Sequence, residues 1–381
     1  MKYMGSKRYM LQNGLGQLIR KNVKDYERFV DLFSGAGHVS YFVAEQFDIP
    51  VLASDLQKYS SVLVGAVIEK TKHIDAARLE KSWIDMARAD FENSQGYKQA
   101  KKIAEKYGDT KKAVEESRKL CEKNISVGPV WSAYGGHYYS PTQALKIDYL
   151  LKHLPTREPS RTNALAALID AASHCAAAPG HTAQPFQPTD TAMKFIFQYW
   201  RVDPFEKARV ALSNFSGRHA RVKGTVLVGD AADIVNDLKP TDLVFIDPPY
   251  SGVQYSRFYH VLETIARGGC GPVSGAGRYP SQNERPRSVY SNSGGAKKEL
   301  EILMKKIAER GSGVIFTFPL KKCSNGLSGT DVKKIAKKLF EIRGEKIHGE
   351  FSTLGGNNKN GNRPHKQKSK ELLLYLKPKT H

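Results

Sequence analysis

Leu243-Val244-Phe245-Ile246-Asp247-Pro248-Pro249-Tyr250 is the stretch on which the reading of the fold turns. Four consecutive apolar residues predict a strand buried on both faces, as in a parallel sheet. Pro248 and Pro249 then remove two ladder donors and disfavour a helical turn, so the strand has to stop. The result is a stiff loop at a strand's carboxyl end, offering an acid, proline carbonyls and an aromatic ring. Open α/β sheets bind their ligands along that edge. A simple strand terminator with a surface Asp is the other reading, and these eight letters alone do not separate the two.

A second loop far upstream shifts the balance. Phe29-Val30-Asp31-Leu32-Phe33-Ser34-Gly35-Ala36-Gly37-His38-Val39-Ser40 predicts a short strand, a turn with two glycines and then an apolar-periodic helix. Gly35 and Gly37 permit a sharp turn and the close approach of a ligand. A hydride-transfer fingerprint would place a third glycine where Ser40 stands. Val51-Leu52-Ala53-Ser54-Asp55 predicts a second strand ending in an acid, about 20 residues past the glycines, where a carboxylate can accept from both hydroxyls of a ribose. Together these features point to an adenosine-containing cofactor without saying which. Upstream of both, Lys2-Tyr3-Met4-Gly5-Ser6-Lys7-Arg8 precedes a helical pattern. A Gly-Ser turn there can present N–H groups to an anion, or simply begin a helix.

The pattern around these loops is strand–helix alternation on both sides of a different middle segment. Val226-Leu227-Val228 leads to Gly229-Asp230, a helix to Leu238 and the Leu243 strand. Val314 to Phe318 and Glu371 to Leu376 read as further strands, with a helix from Val332 to Ile342 between them. Residues 65–201 are mainly helical in pattern, including one lysine- and glutamate-rich stretch from Lys98 to Lys123 that reads as a solvated helix face. The expected architecture is one α/β sheet, residues 1–64 and 202–381, interrupted by an insertion at 65–201. Within that insertion lies Trp131-Ser132-Ala133-Tyr134-Gly135-Gly136-His137-Tyr138-Tyr139-Ser140-Pro141. Its rings either stack on or wedge between bases, or pack a small core; both readings stand at this point.

Composition narrows the partner. The 381 residues hold 59 Lys and Arg against 38 Asp and Glu, a net charge of +21. That exceeds what solubility needs and points to a polyanion. No apolar run approaches a membrane span, and the polar, basic amino terminus does not resemble a secretory signal. Cys121, Cys175, Cys270 and Cys323 form no CxxC pair, which argues against a zinc ribbon or disulfide framework and fits a reducing cytosol. His137, His174 and His181 lack ligand spacing, so no metal is expected.

Tyr3-Met4-Gly5-Ser6-Lys7, then Asp31-Leu32-Phe33-Ser34-Gly35-Ala36-Gly37, then a long insertion and Asp247-Pro248-Pro249-Tyr250 resemble, in motif and in order, the Dam-like DNA adenine-N6 methyltransferases. The resemblance spans residues 1–64 and 205–376. It implies a Rossmann-like methyltransferase sheet, mainly parallel with a reversed final strand, and a mostly helical inserted target-recognition domain. S-adenosylmethionine is the implied cofactor. Tyr3, Met4, Gly5, Ser6 and Lys7 with Asp31, Phe33, Ser34, Gly35 and Gly37 would enclose its methionine part. Asp55, with Leu56, would take the ribose, and Asp230 with Ala231 the adenine. The implied reaction moves a methyl group to N6 of a flipped-out adenine. Asp247 and Pro248 would hold the amine, Pro249 would stiffen the loop and Tyr250 would stack on the base. Double-stranded DNA is the implied partner, contacted by Tyr134, His137, Tyr138, Tyr139, Arg257, Lys366 and Lys368. A cognate restriction endonuclease is an implied companion, action as a monomer the implied state, and the cytoplasm of a bacterium or its phage the setting. The alternatives are an RNA adenine-N6 or DNA cytosine-N4 methyltransferase, a nucleic-acid-binding module with a dead cofactor fold, and a nucleotide-dependent oxidoreductase.

Overall fold

A computed structural model describes residues 7–123, 128–352 and 368–379. It contains two compact units. One comprises Gly65–His219 and Ser256–Pro286; the other comprises Met4–Val64, Ala220–Tyr255 and Arg287–His381.

The second unit is built on one seven-stranded sheet. Its strands are β1 (Arg28–Asp31), β2 (Val51–Asp55), β3 (Thr225–Val228), β4 (Asp242–Ile246), β5 (Gly313–Pro319), β6 (Phe340–Ser352) and β7 (Lys368–Pro378). They lie in the order β3-β2-β1-β4-β5-β7-β6. β1 to β5 are parallel, and β7 runs antiparallel to both β5 and β6. This is the mainly parallel sheet with a reversed final strand that the family resemblance implies. β4 and β5 are buried along their whole length, as their unbroken apolar runs require. Arg28 clamps the first residue of β4 through a bidentate pair with Asp242 at 2.8 and 2.7 Å, fixing the start of the β1–β4 register.

The strand order reverses between β1 and β4, so the loops leaving these two strands flank a topological switch point. Asp31 pairs with Phe245, and the Gly35 turn and the Asp247 loop therefore leave the sheet side by side. Glu371 pairs with Pro319. Because β7 is reversed, its early residues reach the same rim at which β1 to β5 end.

Two expectations need correction here. The helix expected from Val332 to Ile342 is Gly329–Leu339, and Phe340 begins β6, an edge strand that the sequence reading missed. The charged helix expected from Lys98 to Lys123 is two helices, Gln95–Tyr107 and Lys111–Lys123. Gly108, at φ 53°, ends the first of them.

Among its described residues the first unit has helices and isolated bridges but no strand. Helix Pro141–Lys152 starts on a capping box in which Ser140 and Gln143 exchange side-chain and backbone bonds. Asp203 caps Pro204–Ser216, and that helix packs on Ser160–Cys175. No helix among the described residues is long and apolar enough to cross a membrane.

Candidate active site

At the end of β1 the chain turns through Ser34 and Gly35. Ser34 N–H donates to Ser54 O at 2.9 Å, and Gly37 N–H donates back to Ser34 O at 2.8 Å. Gly35 and Gly37 have φ of 49° and 78°, conformations that strain any side chain. At Gly37 space is also lacking, since a Cβ would lie 2.7 Å from the Tyr41 ring. Gly37 thus starts helix His38–Gln46 directly behind the turn.

Acids line this rim. Asp31, at the end of β1, is buried and accepts from Ser40 Oγ at 2.6 Å; burial raises its carboxyl to about 7. Asp55, at the end of β2, accepts from Gly35 N–H on Oδ2 and from Gln57 N–H on Oδ1, each at 2.9 Å. These two bonds fix the plane of its carboxylate. Leu56 comes next, half-buried. Past β3, Asp230 caps the short helix Ala231–Ile234 by accepting from Ala232 N–H at 2.9 Å, and Ala231 is buried. The half-buried Phe33 ring meets Tyr290 edge-on at 5.2 Å. Strand-end acids, a turn free of side chains and an aromatic ring together suit a ligand with a ribose and a flat base.

On the other side of the switch point stands Asp247. Its Oδ1 accepts from Thr317 Oγ1 at 2.8 Å and pairs with Lys7 Nζ at 3.0 Å. Lys7 Nζ also pairs with Glu371 Oε2 at 3.1 Å, and both of these side chains are more than nine-tenths buried. Burial alone would lower the lysine's pKa, but Asp247 and Glu371 outweigh it and raise it, so Lys7 is a cation. Burial is likewise the main cause raising the Glu371 carboxyl, against the pull of Lys7. With both carboxylates ionised, the three groups would carry a net charge of −1. Breaking such a buried cluster by deleting one partner typically costs about 3–5 kcal/mol.

The loop after Asp247 is held from several directions. Pro248 is buried, and Pro249 O accepts from Asn325 Nδ2 at 2.9 Å. The same amide donates to Tyr290 O at 3.1 Å. Gly252 N–H donates to Ser324 Oγ at 2.9 Å, and Gln254 brackets Ser288 with bonds of 2.7 and 3.0 Å. The Tyr250 ring packs half-buried against the sheet's core, its phenol raised by burial. Asp247 and Tyr250 therefore keep exposed surface on a loop whose backbone is fixed.

Lys7 stands against Asp247 and Glu371, a position that the sequence did not reveal. Thr317, Asn325 and Glu371 were also missed, and no local pattern marks the last two. A signal for the first was available, a polar residue inside the apolar run Val314 to Phe318.

The aromatic loop of the helical unit is different. Tyr134, Tyr138 and Tyr139 are wholly buried. The Tyr134 hydroxyl is 2.8 Å from Thr264 Oγ1, Tyr138 donates to Thr182 O and Gly277 O at 2.6 and 2.9 Å, and Tyr139 donates to Ala172 O at 3.1 Å. Of the two readings open for these rings, core packing holds; none offers a face for a base. His137 is half-buried, and burial, with Arg118 and Arg278 beside it, lowers its pKa to about 3, so it is neutral and brings no charge to a phosphate. Arg257 is exposed and lies over the Tyr279 ring at 4.9 Å. Tyr3, Met4, Gly5, Ser6 and Lys366 lie outside the described residues, and of Lys368 only the backbone at the start of β7 is described. Among the described residues no group of His, Cys, Asp and Glu could hold a metal ion.

The chain is 26% identical over 331 residues to Modification methylase LlaI of Lactococcus lactis subsp. lactis, covering 81% of this chain and 44% of that protein. It is 27% identical over 282 residues to Type II methyltransferase M.FokI of Planomicrobium okeanokoites, covering 70% of this chain and 37% of the relative. It thus spans less than half the length of either relative. The model of D12 class N6 adenine-specific DNA methyltransferases matches residues 3–141 and 192–285, more than half of the chain. With that match, the chain belongs to the D12 class N6 adenine-specific DNA methyltransferase family.

Proposed function

We propose that the protein methylates N6 of adenine in DNA, with S-adenosylmethionine as the methyl donor. The observation that carries this reading is the fixed loop 247–250 beside the glycine turn, with Asp247 held, among the described residues, through Oδ1 alone. The residues along the rim fit the cofactor by their chemistry. Asp55 ends β2 with its carboxylate plane held, a placement that suits a ribose diol, Phe33 offers a ring to a flat base, and Gly35 leaves room for close approach. The cofactor supplies an electrophilic methyl group on a sulfonium.

The chain's task is to position and activate a weak nucleophile, because the N6 lone pair is delocalised into the purine ring. Lys7 and Thr317 both engage Oδ1 of Asp247; among the described residues nothing is bonded to Oδ2. Oδ2 and the Pro248 carbonyl accept the two N6 hydrogens and favour a pyramidal nitrogen. Asn325 keeps the carbonyl-bearing loop from yielding as the base arrives. Tyr250 stacks on the base. Extrusion costs a few kcal/mol, and stacking returns about 1–3 kcal/mol, so binding to the flipped base is close to balanced. Phosphate contacts then supply most of the affinity, and the +21 charge supports that.

The test is incorporation of labelled methyl from S-adenosylmethionine into duplex DNA, with digestion to nucleosides. N6-methyladenine is the expected product. Label in cytosine, or in structured RNA but not in DNA, overturns the reading.

A further inference from the structure

The roles given to Asp247, Pro248 and Tyr250 leave one buried charge without a task. Glu371 lies on β7, outside every motif, yet its Oε2 is 3.1 Å from the ammonium that grips Asp247. We propose that Glu371 is a positioning residue for methyl transfer: it anchors Lys7 where the ammonium fixes Oδ1 of Asp247, and it supplies the second negative charge of the cluster. The inference rests on the adenine-methylating reading of the same site.

A lysine with a single carboxylate forms a neutral pair and is free to swing around it. Here the ammonium lies between two carboxylates at 3.0 and 3.1 Å, so its place is set from both sides. Thr317, on β5, completes the grip on the same Oδ1 at 2.8 Å. Oδ2 is thereby left toward the incoming amine. The second carboxylate matters electrostatically as well. As the N6–methyl bond would form and the methyl–sulfur bond break, leaving a neutral thioether, positive charge would develop on that nitrogen until one N6 proton passes to water, and a cluster of net charge −1 stabilises it where a neutral pair would not. The reversal of β7 brings an acid from near its start to the rim where the parallel strands end.

Among the described side chains, the ionisable groups facing Glu371 are Lys7, Asp247, Tyr250 and Cys323; His348, its register partner on β6, is retained in every Glu371 variant. Burial raises the Tyr250 phenol and pushes the Cys323 thiol up to about 11, so both are neutral through the acid and neutral range. Lys7 is cationic throughout. Asp31, raised to about 7, adjoins Asp247 and is retained in every Glu371 variant.

The experiment uses the full chain and measures single-turnover methyl transfer into duplex DNA from labelled S-adenosylmethionine across pH, with DNA affinity and melting temperature read in parallel. Wild type is expected to lose rate as pH falls and Glu371 takes a proton. Glu371→Gln should be slower by roughly 10- to 100-fold at neutral pH, with DNA affinity kept, and should lack the Glu371 part of the acid limb. Glu371→Asp should recover part of the rate and shift the limb. A Gln variant with the wild-type rate, an acid limb identical in the Gln variant, or a rate loss that merely tracks lost DNA affinity overturns the proposal. Should the Gln variant fail to fold, an unshifted limb in Glu371→Asp overturns it instead. A wild type that labels no adenine sinks the parent reading and this one with it, an outcome distinct from an active wild type with an indifferent Gln variant.

Discussion

Loop 247–250 and loop 134–139 are both short and aromatic, and each is punctuated by proline or glycine. They spend their side chains in different ways. In the first, neighbouring residues hold the backbone: Asn325 binds Pro249 O, and Ser324 accepts from Gly252 N–H. Its acid and its ring keep exposed surface. In the second, the tyrosines themselves do the holding, each hydroxyl reaching another segment of the helical unit while the ring is fully buried. Aromatic content alone does not identify a binding loop. The two differ in whether the bonding capacity of the side chains has been used up inside the protein.

The sharpest way to break this comparison is to remove the acid that is left available. Asp247→Ala should lower single-turnover methyl transfer by about 10³-fold or more while DNA affinity stays within a few-fold. An active alanine variant would place loop 247–250 among the structural loops. Next in size is Tyr250→Ala, expected to weaken capture of the flipped base by about 1–3 kcal/mol, as read by a fluorescent base analogue at the target position. Cofactor affinity should change much less, and equal losses of the two would contradict a stacking role.

On the other side of the comparison, Tyr138→Phe leaves the ring and removes only the hydroxyl shared between Thr182 O and Gly277 O. Stability should fall by about 1–2 kcal/mol in denaturant unfolding, with the methyl-transfer rate per folded molecule unchanged. A loss of DNA affinity without loss of stability would return that ring to the binding surface.

The last prediction concerns pH. The Asp31 carboxyl is raised in the folded protein from its ordinary value to about 7. Between those values the folded chain binds more protons than the unfolded one, so this group's contribution to stability falls as pH rises from about 4 to about 7. Asp148, buried and also raised to about 7, acts in the same direction. Asp31→Asn should flatten the wild-type slope across this window, measured as melting temperature against pH; an unchanged slope would show that Asp31 is ionised throughout.

Much of the sheet was readable from local pattern. Buried parallel strands are apolar along their length, so β4 and β5 stand out, and the double proline and the paired glycines mark where two strands release their loops. β6 was not readable. Phe340-Glu341-Ile342-Arg343-Gly344-Glu345-Lys346 mixes charges and a glycine, as an edge strand with a register shift between Ile342 and Gly344 can, and its first residues continue the period of the preceding helix. The tyrosines of loop 134–139 were ambiguous because letters do not reveal what a hydroxyl will meet. The partners of Asp247 were hidden for a different reason. Lys7 and Glu371 are 364 positions apart in the chain, and only the reversed pairing of β7 with β5 brings them together.

That pairing has a consequence for biosynthesis. β7 is inserted between β5 and β6 rather than added to the outside of the sheet. A ribosome must therefore release the residues around Glu371 to Leu376 before β6 can join the rest, and before Lys7 can meet its second acid. Until those residues emerge, a nascent chain holding the glycine turn and the double-proline loop lacks the second carboxylate beside Lys7.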